Sequence, residues 1–345
     1  MTPQHRLLQR QVKKHLQGVV TPELEAFVAA VDEAYAGQDA DRAMIERTLE
    51  LSSRELRDVN EAVRAKQRDL ALAMEQIMES LQYASRLQRA QLPRSERFLD
   101  LFPDFSVLWL PRDTIGGDLW WISPGDSSGR FSIALVDCTG HGVPGAMLSL
   151  LASTSLAQIF SHTTEPTPAK ALSMLDDAIR RGLNQDKPGS DSDDGCDAAI
   201  IQINPAKGTA LYAGCRIDLF CADEENGVSR IGSDRFSIGY PGPAAPSPTL
   251  HEVELVPNRQ YVLTTDGLVD QVGLRADGSR RAFGFAQLMN VLNRTSALGC
   301  VATTQALTEA LKTWQGEQLR RDDVTVMAFT VDVNNIEGLV PVTTF

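Results

Sequence analysis

Four aspartates set out the chemistry available to this chain. Asp137 opens the run Asp137-Cys-Thr-Gly-His-Gly-Val-Pro-Gly145, after the apolar stretch Phe131–Val136 and before the apolar stretch Ala146–Phe160. That order reads as buried strand, glycine turn and helix, with a carboxylate delivered at the strand end. Asp118 closes Gly116-Gly-Asp118, Asp266 lies in Thr264-Thr-Asp-Gly267, and Asp322 leads Asp322-Asp-Val-Thr325. Each stands at the end, or just before the start, of a strand-like run. Oxygens gathered from four such places make a cage for a hard divalent cation, Mg²⁺ or Mn²⁺. Two such ions about 4 Å apart can share and acidify a water and hold a phosphate for in-line attack. Asp137 suits a bridging role, with the Cys138 carbonyl as a neutral ligand, and Gly116-Gly117 lets backbone crowd close to Asp118. Singly, each motif is weak, since Asp-Gly is most often a turn. The four together, in this order, are far more specific.

The elements that position them fall into two textures. Residues 1–92 are dense in Glu, Arg, Gln, Leu and Ala, with glycine only at Gly18 and Gly37. Thr21-Pro-Glu-Leu-Glu25 reads as a helix start. A break is expected near Gly37-Gln-Asp39, followed by a longer helix that ends at Pro93. Leu49, Leu56, Val63, Leu70 and Ile77 fall seven apart, while the companion row of Ser52, Val59, Lys66 and Ala73 is broken. This pattern suits a parallel two-chain coiled coil, or else an amphipathic helix packed on its own domain. From 93 to 332, strands are expected at 105–109, 131–136, 198–203, 210–213, 218–221, 260–264 and 324–331. Helices are expected at about 169–184, 284–293 and 301–315. Many strands with few helices between them point to an α+β sandwich rather than a doubly wound sheet. Residues 333–345 read as a short tail.

A net charge of −12 disfavours a nucleic-acid partner and an anionic membrane surface. Five cysteines without C-x-x-C spacing read as reduced thiols, which points to a cytoplasmic protein. The first residues lack a secretory pattern, and no run reads as the ~18–20 apolar residues of a membrane span.

Gly116-Gly-Asp118, Asp137-x-x-Gly-His-Gly-Val-Pro144, Thr265-Asp-Gly267 and Asp322-Asp-Val-Thr325 together resemble the signature of metal-dependent protein phosphatases. The resemblance is to the bacterial branch typified by sporulation stage II phosphatase E and the sigma-B regulator phosphatases, and it spans residues 88–331. Gln88-Arg-Ala-Gln-Leu-Pro93 is similar to the linker that precedes that domain. The resemblance implies a PP2C-like β-sandwich flanked by helices and a centre of two Mn²⁺ or Mg²⁺ ions. It implies hydrolysis of phosphoserine or phosphothreonine, the usual substrate being a phosphorylated STAS-domain anti-sigma-factor antagonist. Carried over by position, Asp118, Asp137 and the Cys138 carbonyl are ligands on one side, and Asp266 and Asp322 on the other. Asp323, His141, Gly117 and Gly267 surround them. The helical segment is then the site of homodimerisation and of control by an upstream sensor or activator. One departure is Ala213-Gly-Cys215, where many relatives carry Ala-Gly-His.

Several residues admit two readings. His141 is either a general acid for the leaving oxygen or a hydrogen-bonder that shapes its turn. Asp191, Asp193, Asp194 and Asp197 form either a third metal site or a solvated acidic loop. One of Trp120 and Trp121 should face the core and the other outward, where it could line a substrate face. Asp270 either orients a metal-bound water or is a plain surface carboxylate. No Gly-Lys-Ser/Thr follows Thr139-Gly-His-Gly, so a nucleotide-binding loop is excluded. Two rivals to the phosphatase reading stand: a silent partner-switching scaffold, and a phosphoesterase for small molecules.

Overall fold

The computed structural model describes residues 3–93, 102–123, 125–126, 129–162, 166–274 and 278–332. The expected tail at 333–345 lies outside the described residues. The chain divides into two compact units, Met1–Met78 and everything from Glu79 on.

The first unit holds α1 (Arg6–His15) and most of α2 (Pro22–Gln91). Leu8 and Val12 of α1 bury against Val28 of α2. Asp32 accepts the Gln4 and His5 backbone N–H groups at 2.8 Å each, satisfying donors that precede α1. The break expected near Gly37 is absent: α2 runs through it for 70 residues. Ala, Gln and Arg around Gly37 keep the helix going, at the cost of one glycine, about 1 kcal/mol. The heptad side chains Leu49, Leu56, Val63, Leu70 and Ile77 are all exposed in the single chain.

The second unit is a four-layer α+β sandwich. One antiparallel sheet has the order β2 (Leu119–Ile122), β3 (Phe131–Cys138), β4 (Cys196–Asn204), β5 (Thr209–Cys215), β8 (His251–Glu254). The other has the order β1 (Phe105–Leu110), β12 (Val324–Phe329), β9 (Gln260–Thr264), β6 (Leu219–Asp223), β7 (Gly227–Ile231). Strand alternation sorts the core into three sets. Ile133, Leu135, Ile201, Tyr261, Leu263, Met327 and Phe329 fill the space between the sheets. Val136, Ala134, Ala198 and Ile200 point the other way, beneath α3 (Gly142–His162) and α4 (Pro168–Gly182). Val262, Val326 and Ala328 pack under α6 (Gly284–Thr295) and α7 (Cys300–Gln315). A short helix α5 (Asp266–Val269) leads into the hairpin of β10 (Val272–Leu274) and β11 (Arg280–Ala282).

Because helices cover both sheets, the expectation for the tryptophans needs correction. Trp120 buries between the sheets and Trp121 under α3, its ring 5.0 Å from that of Phe160. Neither lines a substrate face. A second correction concerns α3: Gly142–Ser161 has the length and mean hydropathy (1.4) of a membrane span. Serines and threonines inside it broke up the apolar run in the sequence, and Leu148, Ala152, Leu156 and Ile159 pack it on the sheet.

Candidate metal centre

The two sheets end together where β2, β3, β9 and β12 begin or finish, and the four motif aspartates stand there. Asp118 immediately precedes β2 and is almost wholly buried. Its Oδ2 accepts Thr325 Oγ1 at 2.6 Å and Thr265 Oγ1 at 2.9 Å, so the other sheet grips it from across the interface. Its Oδ1 is buried and has no hydrogen-bond partner among the described residues. Burial, with the Asp323 charge adding and the two threonines opposing, pushes this carboxyl up to about 7.

Asp137 lies one residue before the end of β3 and is partly exposed. Burial pushes its carboxyl well above the ordinary value, and the charges of Asp118, Asp266, Asp322 and Asp197 push it further. Asp266 opens α5 with its side chain exposed; desolvation of its inner side and the neighbouring Asp270 and Asp322 charges raise it to about 6. Asp322 stands two residues before β12. The carboxylates are therefore close enough to resist one another's ionisation, which a divalent cation would relieve.

Asp323 has a different task. Its Oδ1 accepts Arg112 N at 2.6 Å and its Oδ2 accepts Gly117 N at 2.5 Å. It thereby fixes the Gly116-Gly117-Asp118 backbone against β12. The glycines permit this packing. A Cβ on Gly117 would lie 2.7 Å from the Cys138 carbonyl oxygen and 2.8 Å from that of Gly140, and one on Gly267 only 1.9 Å from the Asp323 carbonyl. Gly140 and Gly142 both take left-handed φ, +82° and +64°, in the turn that carries His141. His141 Nδ1 bonds Asp113 Oδ2 at 2.7 Å, both residues being exposed.

The structure also gives Asp197, Arg216 and Gln88 places beside the cluster that the sequence does not assign them. Asp197 sits directly opposite Asp137 in the β3–β4 register. It is held by Arg216 Nε at 3.0 Å and by Ser237 Oγ at 2.5 Å. Asp194 instead accepts Ser192 Oγ within the 186–195 loop, so the four acidic residues once grouped together part company. Arg216, half-exposed, is a cation beside the cluster; its only sequence signal was that it follows the departure at Cys215. Gln88, in the last turn of α2, donates to Gly116 O at 2.6 Å and Ser149 Oγ at 3.1 Å, and accepts Gly116 N at 3.3 Å. The Arg89 guanidinium lies over the Trp109 ring, whose N–H bonds Asp118 O at 3.1 Å.

Among the described residues, no three His, Cys, Asp or Glu side chains already stand in a metal-holding arrangement. The donor set still fits Mg²⁺ or Mn²⁺, which bind through one or two carboxylates each and keep several waters. The unpartnered Asp118 Oδ1 is an oxygen that such an ion would use.

The family model of stage II sporulation protein E (SpoIIE) matches residues 127–332. The chain belongs to the SpoIIE family. With it comes the PP2C-type phosphatase superfamily, whose fold this is. The model's span includes Asp137, Asp266 and Asp322; Asp118 lies just before it. Among solved structures, the SiaA-PP2C domain of Pseudomonas aeruginosa is 30% identical, with a TM-score of 0.66 over 76% of this chain and 99% of that one. The RsbU and RsbW domains of Rv1364c from Mycobacterium tuberculosis are 18% identical, with a TM-score of 0.50 over 68% of this chain and 61% of that one. No curated protein sequence matches the chain.

Proposed function

We propose that this SpoIIE-family chain is a Mn²⁺- or Mg²⁺-dependent phosphoserine/phosphothreonine protein phosphatase. Its proposed substrate is a phosphorylated STAS-like regulatory protein, the class that the family resemblance implies. The reading is carried by the cluster of mutually repelling carboxylates around the unpartnered Asp118 Oδ1. Asp118, Asp137 and the Cys138 carbonyl would hold one ion, and Asp137, Asp266 and Asp322 the second. When bound, such a pair supplies Lewis acidity and an acidified water for direct attack on phosphorus.

The chain's own residues supply the rest. Thr265 and Thr325 hold Asp118 in one rotamer. Asp323 pins the Gly117 backbone, and Gly117 and Gly267 leave room for close approach. Arg216 is available to a phosphate oxygen at the edge of the cluster, and Asp113 orients His141 for the leaving oxygen. A cysteine nucleophile is disfavoured, because all five thiols are buried and burial or neighbouring groups push Cys138, Cys215, Cys221 and Cys300 up.

Control would enter through α2. Its last turn bonds directly to the Gly116 backbone, so a shift of Gln88 moves the segment that carries Asp118. The exposed heptad row supports a parallel homodimer through residues 1–92, with an upstream sensor or activator acting on that segment. The test is hydrolysis of p-nitrophenyl phosphate with Mn²⁺ by the intact chain and by Asp137→Ala. Metal-dependent turnover that the substitution abolishes supports the phosphatase. Turnover that survives it removes Asp137 from the centre, and no turnover by either favours the silent scaffold.

A further inference from the structure

The chain is acidic overall, yet one face of the second unit is basic. Arg112, Arg280, Arg281, Arg320 and Arg321 line a single open depression with Leu319 among them. Elsewhere the arginines Arg130, Arg216, Arg230 and Arg259 each meet a carboxylate. Among the described residues, none of these five does. Arg320 and Arg112 instead spend one guanidinium nitrogen each on backbone carbonyls, which leaves their charge uncompensated. Arg280, Arg281 and Arg321 are exposed, and Leu319 is 87% exposed, more than any other large apolar side chain among the described residues. A solvated surface needs neither the clustering nor the bare leucine. Arginines without carboxylate partners around an apolar centre have the composition of an interface awaiting a negatively charged partner.

The face is also wired to the carboxylate cluster. Arg320 and Arg321 run directly into Asp322 and Asp323. Gln271, which links α5 to β10, accepts Arg321 N at 3.2 Å and donates to Leu319 O at 3.2 Å. Arg112 bonds Asp323 through its own backbone N–H. Whatever sits on the arginines is held beside the place where a phosphate would react.

We propose that this face docks an acidic surface of the phosphoprotein substrate, next to its phosphorylated residue. The proposal rests on the phosphatase reading and adds the charge of the partner. Arginine forks meet carboxylates in pairs of charge-assisted hydrogen bonds, and they would also offset the repulsion that an acidic site presents to a phosphorylated acidic protein.

The test uses the full chain and two synthetic phosphoserine peptides, one flanked by glutamates and one by lysines. In EDTA, fluorescence anisotropy should give the glutamate peptide at least about tenfold higher affinity at low salt, with the gap closing as salt rises. Arg280→Glu with Arg281→Glu should remove that preference, and the milder pair Arg280→Gln with Arg281→Gln should reduce it. With Mn²⁺, kcat/KM for the glutamate peptide should fall by about the same factor, while that for p-nitrophenyl phosphate stays within about twofold. Equal binding of the two peptides, or a preference that both variants leave intact, overturns the proposal. Tighter binding of a single-stranded oligonucleotide of similar length would assign the face to nucleic acid and overturn it too. Failure of the unaltered chain to hydrolyse p-nitrophenyl phosphate strikes the phosphatase reading, and the anisotropy arm still decides the docking face.

Discussion

Asp137 and Asp197 face each other across β3 and β4, an arrangement of like charges that weakens a sheet. Arg216 and Ser237 compensate Asp197, whereas the charges that act most strongly on Asp137 are those of other carboxylates. The consequence is a stability that depends on pH with a definite sign. Asp118 at about 7 and Asp266 at about 6 titrate in the fold above their ordinary value of 3.8. The folded chain thus keeps protons that the unfolded chain has lost, and this contribution falls away as pH rises through those values. In EDTA the thermal midpoint should drop between about pH 4 and about pH 8, and saturating Mn²⁺ should cancel the drop. A midpoint that climbs over that range would contradict the burial of Asp118. Gly117→Ala tests the backbone side of the same site. Its Cβ meets two carbonyl oxygens that cannot swing away, so a loss of about 1–3 kcal/mol in urea unfolding is expected, together with loss of turnover.

Among the elements, the end of α2 has the most leverage on the site. Gln88→Leu removes three hydrogen bonds, two of them to Gly116, each worth about 1 kcal/mol net. The expected result is weaker Mn²⁺ binding by calorimetry with an unchanged circular dichroism spectrum; unchanged binding would disconnect the linker from the centre. Gly37→Ala, with nothing within 4 Å of the new Cβ, should instead stabilise the helix by up to about 1 kcal/mol. That glycine also shows where the sequence misleads, since an isolated glycine reads as a break unless its neighbours' helix propensity is weighed. β3, β4, β9 and β12 were legible because burial on both faces makes them unbroken apolar runs. β2, β7 and β8 are short, and β7 and β8 carry polar side chains, so nothing marked them. At the site, Asp118, Asp137, Asp266 and Asp322 stood out because each comes with a turn or strand motif. Asp113, Arg216 and the clamp of Thr265 and Thr325 depend on contacts between residues well separated in sequence. Asp197 lies next to the acidic loop in sequence and reads as part of it, whereas the sheet register takes it to Asp137.

For the whole molecule, the first question is how many chains it takes to cover the heptad row. Leu56→Lys with Val63→Lys, made in the full chain, should convert a dimer to a monomer in sedimentation equilibrium. A dimer that persists would put the interface outside α2. The second question concerns the seam between the sheets. Asp118 and Asp137 belong to one sheet, and Asp266, Asp322 and Asp323 to the other, with the two threonines reaching across. A sandwich is held along its length by apolar packing, but its ends can part. Here one end is closed by a polar clasp whose halves repel until something positive joins them. Loading the site would act as a buckle as well as a reaction centre, and slower amide exchange at the ends of β3, β9 and β12 would register it. On that view, tightening the buckle and arming the chemistry are one event, and α2 grips the strap at Gly116.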